Sequence, residues 1–159
     1  MVTRELSDGL VFKSSFDKRV AFAIFNRHQK HVRKQAYELT KDYEAVPIIQ
    51  TNFFIHIGRN ISEIKGRDSD EWVDEFIVEE ARKFNLERIE ELKRNDLGVY
   101  AEFYKEVKVR FYSLTAEEQD LVVMYFMFGF SYPLISKMII KPVEQVVDLI
   151  RQVTLRLRA

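Results

Sequence analysis

His28 and His31 stand one helical turn apart, the spacing at which two imidazoles can share a metal ion with a third ligand. They lie among Lys18, Arg19, Arg27, Lys30, Arg33 and Lys34, whose positive charge opposes a cation, so no metal is expected. His56 sits with Phe53, Phe54 and Ile57, company that suits a core or interface histidine better than a general base. The carboxylates Asp70, Glu71, Asp74, Glu75, Glu79 and Glu80 offer paired acids, but a solvated face with negative charge at a helix start accounts for them more simply. Cysteine is absent, which removes thiolate nucleophiles, disulfides and cysteine-ligated zinc together. There is no glycine-rich phosphate loop and no local nucleophile–base signature. Neither an enzyme nor a cofactor is expected.

The elements that carry these residues read as helices. The chain has 159 residues, 47% of them apolar, enough for one large core or two small ones. Its formal charge is zero, so any affinity for nucleic acid must come from local patches. The opening MVTRELSDGLVFKSS lacks the apolar core of a signal peptide, and no apolar run approaches the roughly 18 residues of a membrane span; a cytoplasmic protein with no membrane partner is expected.

Glycine and proline are few, and apolar side chains recur three or four apart through long stretches. A basic amphipathic helix is expected from Ser15 to about Leu39, with Val20, Ala23, Ile24, Val32, Ala36 and Leu39 as its apolar set. A second runs from near Asp42 to Gly58 with Pro47 in its first turn, and GRNISEIKGRDSDE then reads as a loop. A third, from about Ser69 to Arg94, begins acidic and ends basic, as the helix dipole favours. The stretch 95–112 admits a linker, a partial helix or a short strand at VKVRF, and is taken as a linker; its aromatics Tyr100, Phe103, Tyr104, Phe111 and Tyr112 suit packing. Beyond it, Thr115 and Glu118 have capping-box spacing, an apolar run ends at Gly129, and two helices follow at about Ser131–Ile139 and Pro142–Arg158, with the outline of a helix-turn-helix. The fold class is therefore all-α: a helical domain over 1–94, a linker over 95–112 and a helix-turn-helix domain over 113–159.

Taken in order, these clusters resemble the extracytoplasmic-function sigma factors of bacterial RNA polymerase. Leu114, Glu117, Glu118 and Gln119 stand where that family's fourth region opens, Gly129, Ser131 and Tyr132 keep its Gly-x-Ser-Tyr, and Ile135, Val143, Val146, Ile150 and Leu157 hold the two helices after it. Upstream, Leu39, Thr40, Asp42, Ala45, Gln50 and Phe53 match its second region, and Trp72 with ARKFNLERIEELKR looks like the basic helix that follows. The likeness implies a region 2-like bundle and a region 4-like helix-turn-helix, with core RNA polymerase and promoter DNA as partners. It implies polymerase contacts at Ile49, Gln50, Phe53 and Phe54. It places DNA contacts at Arg59, Asn60, Lys65, Arg67, Trp72, Arg82, Lys83, Asn85 and Arg88, and in the second cluster at Lys141, Gln145 and Arg151. For Trp72 an ordinary core anchor is the competing reading.

Departures from the family fall on its expected surfaces. Pro47 replaces an acid of the polymerase-binding helix, Leu134 and Ser136 replace Glu and Ala, Ile140 replaces the turn glycine, and Gln145, Val147, Asp148 and Leu149 replace a Thr, Lys, Ser and Arg set. On a helical wheel Val143, Val146, Val147, Ile150, Val153 and Leu157 form the inner stripe, leaving Glu144, Asp148, Gln152 and Leu155 outside. Carboxylates are repelled by phosphates and accept only from cytosine's amino group in the major groove. The expectation is a helix-turn-helix whose outer face contacts protein, a partner that targets DNA (itself DNA-binding or RNA-guided) or an anti-sigma protein. The alternative is an adaptor that binds polymerase or another protein without initiating.

Overall fold

The computed structural model describes residues 12–64 and 70–158. It is all-α: eight α-helices, with no strand among the described residues. They are α1 (Ser15–Thr40), α2 (Ala45–Arg59), α3 (Ile61–Ile64), α4 (Glu71–Arg94), α5 (Lys108–Ser113), α6 (Ala116–Val122), α7 (Tyr132–Ile139) and α8 (Val143–Arg158). The chain divides into two compact units between Ala81 and Arg82, so the division falls inside α4 rather than after Arg94. Among the described residues no helix is long and apolar enough to cross a membrane.

In the first unit, Ser14 caps α1 by accepting from the Asp17 amide at 3.1 Å. The helix buries Ala21, Phe25, His28, Val32, Ala36 and Leu39, one residue from each successive turn. The stripe is rotated from the one expected: Ala23 is exposed and Val20 and Ile24 are half-buried. Ring packing sets that rotation. Phe25 meets Phe54 edge-on at 5.5 Å, and His28 lies edge-on to Phe53 and Trp72 at 6.4 and 6.2 Å.

Helix α2 begins after Asp42, whose carboxylate accepts from the Glu44 amide at 2.9 Å, and it tolerates Pro47 in its first turn, where the missing N–H has no helical partner. Gly58 lies within this helix, and the side chain of Asn60 finishes it by donating to the His56 carbonyl at 2.9 Å. Part of the expected loop is the helical turn α3, because Ile61 and Ile64 are both apolar and buried.

In the second unit, α4 ends in a Schellman-type turn in which the Leu97 amide reaches the Leu92 carbonyl at 2.9 Å. Asp96, Leu97 and Gly98 all have positive φ. Leu97 is fully buried, and so is Phe111 on α5. The stretch read as a linker thus supplies core side chains, and of VKVRF all but Val107, which precedes α5, is helical. The capping box at α6 forms as its spacing predicts: Thr115 Oγ1 accepts from the Glu118 amide at 3.2 Å, and Glu118 Oε1 accepts from the Thr115 amide at 3.0 Å. A π-helical segment, Val123–Met127, continues α6 toward Gly129 at φ +71°. Ser131 caps α7 through the Leu134 amide, and Ile140 ends that helix at φ 58° before α8 begins.

Helix α8 buries Val146, Ile150, Val153 and Leu157. Two members of the expected inner stripe lie off it: Val143 is exposed and Val147 half-buried.

Candidate functional site

The first unit carries a cleft of about 360 Å³ between α2 and the first part of α4. Asn52, His56 and Asn60 recur at intervals of four along one side, and Phe76 and Glu80, also four apart, face them. The His56 and Phe76 rings are 4.7 Å apart, Asn52 donates to Glu80 at 3.2 Å, and Arg59 is exposed at the edge. Amides, ring edges, a carboxylate and a guanidinium converge here, a set able to hold a flat polar group by its edge. Arg59 and Asn60 are expected from the sequence; Asn52, His56, Phe76 and Glu80 are additions. The signal available for them was the spacing of four, which marks one helix face whatever its charge.

The neighbouring residues expected at partner surfaces are placed differently. Ile49, Phe53 and Phe54 are fully buried, and Gln50 is 9% exposed with no hydrogen-bond partner for its Nε2. These four, expected as polymerase contacts, thus lie in the interior of the first unit, where Phe53 packs against Phe25 and Trp72. Trp72, 8% exposed, stacks on Phe53 at 5.8 Å, so its ring is part of the core. The remaining histidines are likewise engaged. His31 meets Asp74 at 2.6 Å, and His28 lies 3.5 Å from Asp70, with burial pushing its pKa down. Lys65 and Arg67 lie outside the described residues.

In the second unit three of the expected DNA contacts turn inward. Arg82 donates from Nε to the Met138 carbonyl at 2.9 Å and from Nη2 to the Lys137 carbonyl at 2.7 Å, satisfying the C-terminal end of α7. Asn85 is 1% exposed and donates to the Met138 sulfur. Arg88 lays its guanidinium over the Phe128 ring at 3.8 Å. The three placements have one cause, since this part of α4 packs its polar side chains onto the helix ends and rings of its own unit. Lys83 is exposed.

Helix α8 presents Glu144, Gln145, Asp148, Arg151, Gln152 and Leu155 outward, Leu155 being 63% exposed. Arg151 lies 3.8 Å from Asp148, a loose pair that offsets part of its charge. Lys141, expected on phosphate, is engaged by Glu117 at 2.8 Å. Beside Leu155 a groove of about 350 Å³ is floored by Tyr125 and Tyr132, stacked 5.2 Å apart, and by Phe126. The two acids lie in the first half of this face, while Arg151, Arg156 and Arg158, all exposed, lie in the second, and the groove is edged by Arg151, Thr154 and Arg158.

No protein-family model matches the chain, and no curated protein matches it.

Proposed function

We propose that the chain is a transcription initiation subunit similar to the extracytoplasmic-function sigma factors: it binds core RNA polymerase, engages unpaired promoter DNA with its first unit, and takes a promoter-selecting protein on the outer face of α8. The order of motifs in the sequence supports the class, together with an all-helical chain in two units, the second holding two helices joined by a tight turn. The cleft beside Arg59, with its ring edges and amides, suits an unpaired base.

The observation that carries the proposal is the exposure of Glu144 and Asp148 in the first turns of α8 and of Leu155 further along it. Two carboxylates at the start of the helix that would enter a groove repel phosphates, while an apolar side chain left 63% exposed gains from protein burial. A second reading, favoured by the same face, is an adaptor that binds without initiating.

Reconstitution with bacterial core polymerase separates them. Transcripts from a premelted promoter, with little from the same sequence as duplex, are expected. Association without transcripts supports the adaptor, and absence of association overturns the initiation reading and leaves only an adaptor of another protein.

A further inference from the structure

A third surface, on the first unit, includes Pro47 of the helix that the resemblance assigns to polymerase but none of the four residues named as its contacts. A groove of about 460 Å³ runs between the later turns of α1 and the start of α2. Its floor is apolar: Tyr37 and Tyr43 stack 4.3 Å apart, with Val46 and Pro47 beside them, and Tyr43 remains 76% exposed. Lys30, Arg33 and Lys34 stand along the rim, all exposed, and none has an ion-pair partner among the described residues. The rim also carries Glu38, which accepts from Gln35 at 3.3 Å. Ile48, 49% exposed, lies next in sequence to Pro47 on α2.

We propose that this groove docks an acidic segment of a partner protein, which seats a bulky apolar side chain on the tyrosine pair and its carboxylates against Lys30, Arg33 and Lys34. Charge complementarity selects the sign of the occupant, since three cations held on one helix without partners repel each other until an anion arrives. The floor selects its class. The two tyrosine rings, 4.3 Å apart, already cover one face of each other and leave no slot between them for a base, and Val46 and Pro47 carry no side-chain donor or acceptor for a base edge. An aliphatic or aromatic side chain needs only the apolar area. The inference does not depend on the initiation reading.

Selection of random peptides displayed on phage, against the full chain at near-physiological salt, tests it without polymerase or promoter, so its failure and that of the initiation reading are distinguishable. Enriched peptides are expected to combine Asp or Glu with a Trp, Phe or Leu. They should bind about tenfold or more weakly to the triple variant Lys30→Glu, Arg33→Glu, Lys34→Glu. Tyr43→Ser, at an exposed position, gives the same readout should the triple variant unfold, and circular dichroism checks both folds. Enriched peptides that are neutral or basic, no enrichment over the variants, or displacement of the peptides by a single-stranded oligonucleotide each overturn the proposal, the last in favour of nucleic acid.

Discussion

The two units contain the same kinds of residue and use them in opposite ways. In the first, rings close the core: Phe25, Phe53, Phe54 and Trp72 pack together, and cations such as Lys30, Arg33, Lys34 and Arg59 are left at the surface. In the second, cations are spent on structure. Arg82 satisfies the end of α7, Arg88 covers Phe128, Lys93 pairs with Asp120 at 2.5 Å, Lys108 holds Asp96, Arg110 donates to the Leu157 carbonyl, and Arg156 reaches Glu118. The first unit ties up fewer, Arg27 to Asp70 at 3.1 Å and Lys41 over the Tyr37 ring, so a count of basic residues overstates the positive surface of the second unit more than that of the first.

Removing the rings should show the largest effect. Phe53→Ala leaves a cavity beneath Trp72 and is expected to cost ~3–5 kcal/mol in urea unfolding. A loss below ~1 kcal/mol would show that the aromatic cluster does not organise the first unit. Next comes Arg82→Ala, expected to cost about 2 kcal/mol because two carbonyls at the end of α7 lose a charged donor. An equally large effect from Lys83→Ala, at an exposed position, would break the distinction between structural and free cations.

The capping box should contribute less. Thr115→Ala is expected to cost ~1 kcal/mol. The Thr115 amide holds the Glu118 carboxyl below its usual range, with a further contribution from Arg156. Because the folded pKa is the lower one, this stabilisation is complete above the unfolded pKa and is lost as pH falls through the folded value, below 4.5. Thermal melts across that window should lose less stability for Glu118→Gln than for the wild type. The smallest effect expected is a gain: Ile140→Gly relieves a β-branched residue at φ 58° and, net of glycine's greater freedom when unfolded, should stabilise by roughly 0.5–1 kcal/mol. Destabilisation there would mean that the 73% exposed side chain packs more than its position indicates.

Local signals were legible where one residue and its near neighbours decide the outcome. Thr115 with Glu118, Ser131 before α7 and the buried residues of α8 from Val146 onward follow from spacing alone. Asp96 and Leu97 were not legible: a left-handed helix end usually announces itself by glycine, and here two non-glycine residues adopt it just before Gly98. That hid the turn which brings Leu97 into the core and made 95–112 read as a linker. The candidate cleft was half legible. Charge drew attention to Arg59 and its neighbour Asn60, while Phe76 and Glu80 come from a helix distant in sequence.

Periodicity and capping residues, which act within a few positions of the chain, determined without any fold that this protein is helical and roughly where most helices start. Only the tertiary structure decided which polar and aromatic side chains remain available to a partner. Ile49, Phe53, Phe54 and Trp72 were drawn into one core, and Arg82, Asn85 and Arg88 onto helix ends and rings of their own unit, because such contacts join residues far apart in sequence, whose meeting no local pattern encodes.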